Sequence, residues 1–103
     1  MRITAEILQD KLKAGLQPLI IDTRTKMEYQ SGHVPGAFHL PFYRALFQAS
    51  SVTDDKSKTV VIYCEHGPRA YIAGLGFILA GFKEITYLKG HMHNWRSHDF
   101  PME

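Results

Sequence analysis

The chain contains one cysteine, Cys64, and no second thiol in its 103 residues. An internal disulfide is therefore excluded, and so is thiol–disulfide exchange by an internal pair. A lone cysteine fits a reducing compartment, and a cytoplasmic protein is expected. Long apolar runs are also missing. The longest, Tyr71 to Phe82, is interrupted by glycines and falls short of the roughly 20 residues that span a bilayer. The opening Met1 to Glu6 carries an acid early and lacks a signal-peptide core. An excess of either charge is also missing: Lys and Arg number 12 against 10 Asp and Glu, and the formal net charge of +2 calls for neither a nucleic acid nor an anionic membrane as partner. No repeat, low-complexity tract or linker divides the chain, so one domain over residues 1–103 is expected.

What is present is an alternation of short apolar runs with helical patterns. Hydrophobic residues at 45% and charged ones at 21% suffice for a buried core. Leu19-Ile20-Ile21, Val60 to Tyr63 and Ile85 to Leu88 read as strands, the first two apolar throughout, as strands covered on both faces are. Phe38-His39-Leu40 reads as a further short strand. Thr4 is placed to cap a first helix, with Ile7, Leu8 and Leu12 facing in and Gln9, Asp10, Lys11 and Lys13 facing out. Thr25 caps a short helix ending near Gly32, and Pro41 opens another through about Ala49. The segment from Arg69 to Leu79 is apolar on most faces and predicts a largely buried helix, with Gly74 and Gly76 allowing close packing on a sheet. Strands alternating with helices predict an α/β fold whose central, mostly parallel sheet is flanked by helices on both faces.

The chemistry concentrates in Cys64-Glu65-His66-Gly67-Pro68-Arg69-Ala70. This order predicts a buried strand ending at Cys64, a tight loop, and a helix beginning near Pro68. Free N–H groups at a helix start favour negative charge beside them, whether an anionic sulfur or a bound anion. The backbone amides of Glu65, His66, Gly67, Arg69 and Ala70 are the expected cradle, and Gly67 lets the chain bend. The alternative is a buried, inert cysteine.

Four local patterns resemble the single-domain rhodaneses, a sulfurtransferase family. They are Asp22-Thr23-Arg24 followed by Glu28; Gly32-His33-Val34-Pro35-Gly36-Ala37; Val61-Ile62-Tyr63-Cys64 with Gly67, Arg69 and Ala70; and Tyr87-Leu88-Lys89-Gly90 with Trp95. The resemblance implies a rhodanese-like three-layer domain whose cysteine carries a sulfane sulfur as a persulfide. It further implies a small donor such as thiosulfate, and cyanide, a thiol or a protein as sulfur acceptor. No cofactor and no metal are implied. Three positions depart from the pattern. His91 stands where the closing motif has a second glycine, Pro68 removes one N–H from the loop, and Glu65 brings negative charge beside the thiol.

Cys64 is the expected nucleophile, with Glu65, His66, Gly67, Pro68, Arg69 and Ala70 as the substrate-binding loop. Arg69 has two readings: holding an anionic donor, or pairing with a structural carboxylate. His66 is either an acid–base group or an exposed loop histidine. Asp22, Arg24 and Glu28 are expected to brace the loop, and His33 to fix its own Gly-Pro-Gly turn. His91, His93 and His98 lack the spacing of a strong metal site and are expected to be exposed, whereas Trp95 belongs in the core. Two rival functions remain. One is a Cys-dependent phosphatase or arsenate reductase; the four residues between Cys64 and Arg69 make a loop tighter than phosphatases use. The other is a non-catalytic module for sulfur delivery or regulation.

Overall fold

The computed structural model describes residues Met1–Glu103. In chain order the elements are β1 (Arg2–Ile3), α1 (Ala5–Lys13), β2 (Leu19–Asp22), α2 (Lys26–Ser31), β3 (Phe38–His39), α3 (Phe42–Gln48), a 3₁₀ turn (Ala49–Ser51), β4 (Thr59–Tyr63), α4 (Pro68–Leu79), β5 (Glu84–Leu88) and α5 (His91–Ser97). Every strand pairing is parallel, and the sheet order is β1-β5-β4-β2-β3. The most apolar strand, β4, thus lies in the centre, between the other two strong runs. Arg2–Ile3 adds an edge strand that the sequence does not announce, because two residues show no periodicity.

Alternation along β4 divides the core. Val60, Ile62 and Cys64 join Ala45, Ala49, Ala73 and Phe77 on the face covered by α3 and α4. Val61 and Tyr63 join Ala5, Leu8, Met92 and Trp95 on the face covered by α1 and α5. The three-layer α/β architecture follows from strands apolar on both sides. It also fixes the thiol: Cys64 continues the α3–α4 side of the strand that it ends.

Two helices differ from expectation. In α1 the inward stripe runs through Ala5, Leu8 and Gln9, so Gln9 is buried while Ile7 is exposed. Ala5 sets that phase: residues three and four positions on share its face. In α4, Tyr71, Ile72, Leu75, Ile78 and Leu79 are exposed, and only Ala70, Ala73, Gly74, Gly76 and Phe77 are buried. The helix packs through its small residues. A Cβ on Gly74 would strike the Tyr87 hydroxyl of β5, which is helix-to-sheet packing, whereas one on Gly76 would overlap the Ala45 carbonyl of α3, which is helix-to-helix packing.

Candidate active site

Strand β4 delivers Cys64 to the carboxyl end of the central sheet, and the chain turns through Glu65, His66 and Gly67 into α4, with Pro68 at its first turn. The turn needs glycine: Gly67 has φ 136°, a region that side chains with a Cβ avoid. Its N–H donates to Cys64 Sγ at 2.9 Å. The thiol is 0% exposed.

The cradle differs from the five expected amides. Gly67 is the only one that reaches the sulfur. The Ala70 N–H donates to the Gly67 carbonyl at 3.0 Å and so belongs to the first turn of α4. Pro68 has no N–H. The N–H groups of Glu65, His66 and Arg69 donate to no atom of the chain. The loop is anchored from α5: Met92 N–H donates to the Cys64 carbonyl at 3.0 Å, and His93 N–H to the Glu65 carbonyl at 3.2 Å.

The charged residues around the loop form two connected groups. In the buried group, Asp22 Oδ2 accepts from Arg24 Nη2 at 2.8 Å and from the Tyr63 hydroxyl at 2.8 Å. Burial, with Asp22 adjacent, pushes the Tyr63 phenol up. That hydroxyl accepts the Val34 N–H at 3.1 Å, and Arg24 Nη2 also donates to the Gly32 carbonyl at 2.7 Å. Asp22 and Arg24 therefore couple the ends of β2 and β4 to the Gly32–Ala37 turn. Arg24 Nη1 then reaches forward to Glu65 at 3.2 Å.

Glu65 itself is not a free negative charge beside the thiol, which corrects the sequence expectation. Its carboxylate is gripped by Arg96 Nη1 and Nη2 at 2.8 and 3.2 Å, with Arg24 behind it. The Arg96 hydrogen bonds hold it below the usual carboxylate range. Sequence reading misses Arg96 entirely; 31 positions from Glu65 on a short polar helix, it carries no local signal.

The second group joins α2 to α4. Thr25 and Glu28 form a capping box on α2. The same carboxylate takes Arg69 Nη1 at 2.7 Å and Nη2 at 3.1 Å, a bidentate pair that holds Glu28 down at about 2. Of the two readings of Arg69, the structure displays the carboxylate pair. His33 reaches outside its Gly-Pro-Gly turn: Nδ1 meets the Tyr29 carbonyl of α2 at 2.8 Å, the ring stacks on Tyr29 at 3.7 Å, and its backbone pairs with Glu103. His66 is exposed and lies 5.2 Å from His93, ring centre to ring centre.

Among the three late histidines, His93 and His98 are exposed as expected, but His91 is buried. Its Nδ1 accepts the Cys64 N–H at 3.2 Å. Glu65, His66 and His93 bring ligand atoms within 4.8 Å of one another. Their chemistry does not suit a cation, since Glu65 is already held by two guanidinium groups whose charge opposes a metal ion. A wide hollow of about 1240 Å³ lined by Ile7, Leu19, Thr59 and Glu84 has no residue of the Cys64 loop on its walls.

A parallel sheet bearing one cysteine in a tight strand-to-helix loop defines a class. A family-wide sequence description of the rhodanese-like domain matches residues 4–98, and the chain belongs to that family. It is 31% identical over 100 residues to a sulfurtransferase of Allochromatium vinosum, covering 97% of this chain and 92% of that one. It is 34% identical over 80 residues to the thiosulfate sulfurtransferase GlpE of Coxiella burnetii, covering 78% of this chain and 73% of the relative. The crystal structure of the Alr3790 protein from Anabaena superposes with a TM-score of 0.88 at 28% identity, over 98% of this chain and 81% of that one. Membership of this family together with relatives named sulfurtransferases supports a sulfur-transfer role in general. No helix is long and apolar enough to cross a membrane.

Proposed function

We propose that the protein is a sulfurtransferase that carries a sulfane sulfur as a persulfide on Cys64. The observation that carries this reading is the Gly67 N–H aimed at Cys64 Sγ at 2.9 Å, in a loop that leaves the N–H groups of Glu65, His66 and Arg69 without an acceptor in the chain. A single main-chain donor suits one anionic sulfur atom. A tetrahedral oxyanion also needs an arginine, and here Arg69 is engaged by Glu28. That geometry argues against a phosphatase or arsenate reductase.

In the first step the Cys64 thiolate attacks the outer sulfur of a donor such as thiosulfate. A bond forms between the two sulfurs, the donor's S–S bond breaks, and sulfite leaves with the electron pair. In the second step cyanide or a thiol attacks the outer sulfur of the persulfide, and Cys64 recovers its electron pair as thiolate. Because Cys64 is fully covered, both steps require side chains over the loop to move aside. The exposed apolar face of α4, which carries Ile72, Leu75 and Leu79, favours a second reading in which the acceptor is a protein and the domain delivers sulfur to it. Steady-state assay of thiosulfate with cyanide, against delivery from the loaded protein to an acceptor, separates catalytic turnover from carriage alone.

A further inference from the structure

His91 occupies a backbone conformation that its side chain disfavours. With φ 55° it follows Gly90 at φ 77°, so two left-handed residues stand in succession, and only the first is glycine. The imidazole kept at this position is only 6% exposed, held there by its surroundings. One nitrogen is settled: Nδ1 accepts the Cys64 N–H and is therefore unprotonated. The neutral ring must carry its hydrogen on Nε2. Nε2 has no hydrogen-bond partner in the chain, and it lies 3.2 Å from where a Cβ on Gly67 would be. The donor thus sits directly under the loop that holds the sulfur.

That ring lines a small pocket of about 210 Å³ together with Arg2, His66, Tyr71, Tyr87 and Lys89. No carboxylate is among the lining residues. Neither Arg2 nor Lys89 forms an ion pair or a side-chain hydrogen bond. They differ in this from Arg24, Arg69 and Arg96, all of which are paired. Burial, then the charge of Arg2, then His66 hold His91 low, so the ring stays a neutral donor in a positive field. Two unpaired cations, an unpartnered N–H and two phenols around one hollow are complementary to a small anion and repel a metal ion. The volume equals about seven waters' share of the liquid, which admits a compact ligand and excludes a nucleotide or a peptide.

We propose that this pocket binds the negative group of a small anionic sulfur acceptor, either a thiol bearing a carboxylate or sulfite, and that His91 Nε2–H, Arg2 and Lys89 hold it beside the persulfide. The acceptor role rests on the persulfide reading above; the anion site does not. In the step it serves, the acceptor's sulfur attacks the outer sulfur of Cys64–S–SH and forms a new S–S bond. The bond to Cys64 breaks and its electron pair returns to Cys64 as thiolate. The persulfide's hydrogen stays on the transferred sulfur, so a thiolate leaves as a hydropersulfide and sulfite as thiosulfate.

The test uses the full chain loaded with sulfur. Second-order rates of sulfur removal are measured with 3-mercaptopropionate, 2-mercaptoethanol, cysteamine and sulfite at equal nucleophile concentration and low salt. The carboxylated thiol is expected to react about tenfold faster than the neutral one, with the cationic thiol slowest. Arg2→Gln with Lys89→Gln, compared at the same persulfide content, should bring the three thiols within about twofold of one another. Sulfite, compared with its own rate on the double variant, tells whether the site takes an inorganic anion as well as a carboxylate. Absence of the preference, or its survival in the double variant, overturns the acceptor role. In parallel, amide spectra of the unloaded protein are titrated with propionate and with sulfite. Shifts at Gly67, Lys89 and His91 that the double variant abolishes support the anion site even if no persulfide forms. Absence of such shifts overturns the site itself.

Discussion

Glu65 is held by Arg96. The carboxylate next to the nucleophile accepts two hydrogen bonds from one guanidinium, at 2.8 and 3.2 Å, while Arg24 approaches from the buried side at 3.2 Å. Its charge is thereby neutralised and its side chain pins the loop to α5. Glu65→Ala should therefore not improve thiosulfate affinity by removing repulsion. It should cost about 1.5–3 kcal/mol of stability, the worth of charge-assisted hydrogen bonds, and raise the mobility of the loop. Arg96→Ala should act in the same direction. Denaturant unfolding of both variants checks this, and a stabilised Glu65→Ala protein with a lower KM for thiosulfate would revive the repulsion account.

Glu28 predicts the acid response. Its carboxyl is held at about 2, against an ordinary 4.5, chiefly by the Arg69 hydrogen bonds. Its folded value lies below its unfolded value, so the stabilisation is complete above about 4.5 and is lost as pH falls toward about 2. Glu65, also held low, acts with the same sign. Melting temperature should fall through this window. In Glu28→Gln the fall should be shallower, from a lower starting point at neutral pH.

The glycines of α4 are not equivalent. A Cβ on Gly76 meets the main chain of α3, at the Ala45 carbonyl and Leu46 Cα, which cannot rotate away. Gly76→Ala should cost about 1–3 kcal/mol by overpacking, more than alanine's gain in helix propensity of about 1 kcal/mol. A Cβ on Gly74 meets the end of the Tyr87 side chain, which can shift. Gly74→Ala should be milder, and urea unfolding of the two side by side reads the difference.

Much of this fold is legible because burial on both faces leaves unbroken apolar runs, as in Leu19-Ile20-Ile21 and Val60 to Tyr63. Thr25 with Glu28, and Pro68 after Gly67, mark helix starts by local chemistry alone. The outer face of α4 is not legible, since a helix apolar all round does not reveal which side meets the sheet, and its small residues decide it. Long-range side-chain pairing is hidden for a similar reason. The Asp22–Arg24 pair is near in sequence, whereas the Arg96–Glu65 grip exists only because α5 returns beside the loop. His91 is the clearest case. The sequence shows a histidine in place of a glycine, but its burial beneath Cys64 depends on where α5 begins.

Gly67 separates the loop's donor from the loop's shape. Gly67→Ala introduces a Cβ at φ 136°, with a strain of about 1–3 kcal/mol, and displaces the N–H that meets the sulfur. Sulfur loading should slow by at least about tenfold, in keeping with the loss of one main-chain donor. Gly81→Ala, also at positive φ (97°) but in open space, should lose stability and load normally. Equal loading by the two variants would show that the Gly67 N–H is dispensable.

The most direct measurement is the intact mass of the protein after incubation with thiosulfate. The wild-type chain should gain one sulfur atom, removable by cyanide and located on Cys64, while Cys64→Ser should fold and gain none. No gain in the wild type, or the same gain in Cys64→Ser, would contradict a sulfur held on Cys64 beneath the Gly67 amide.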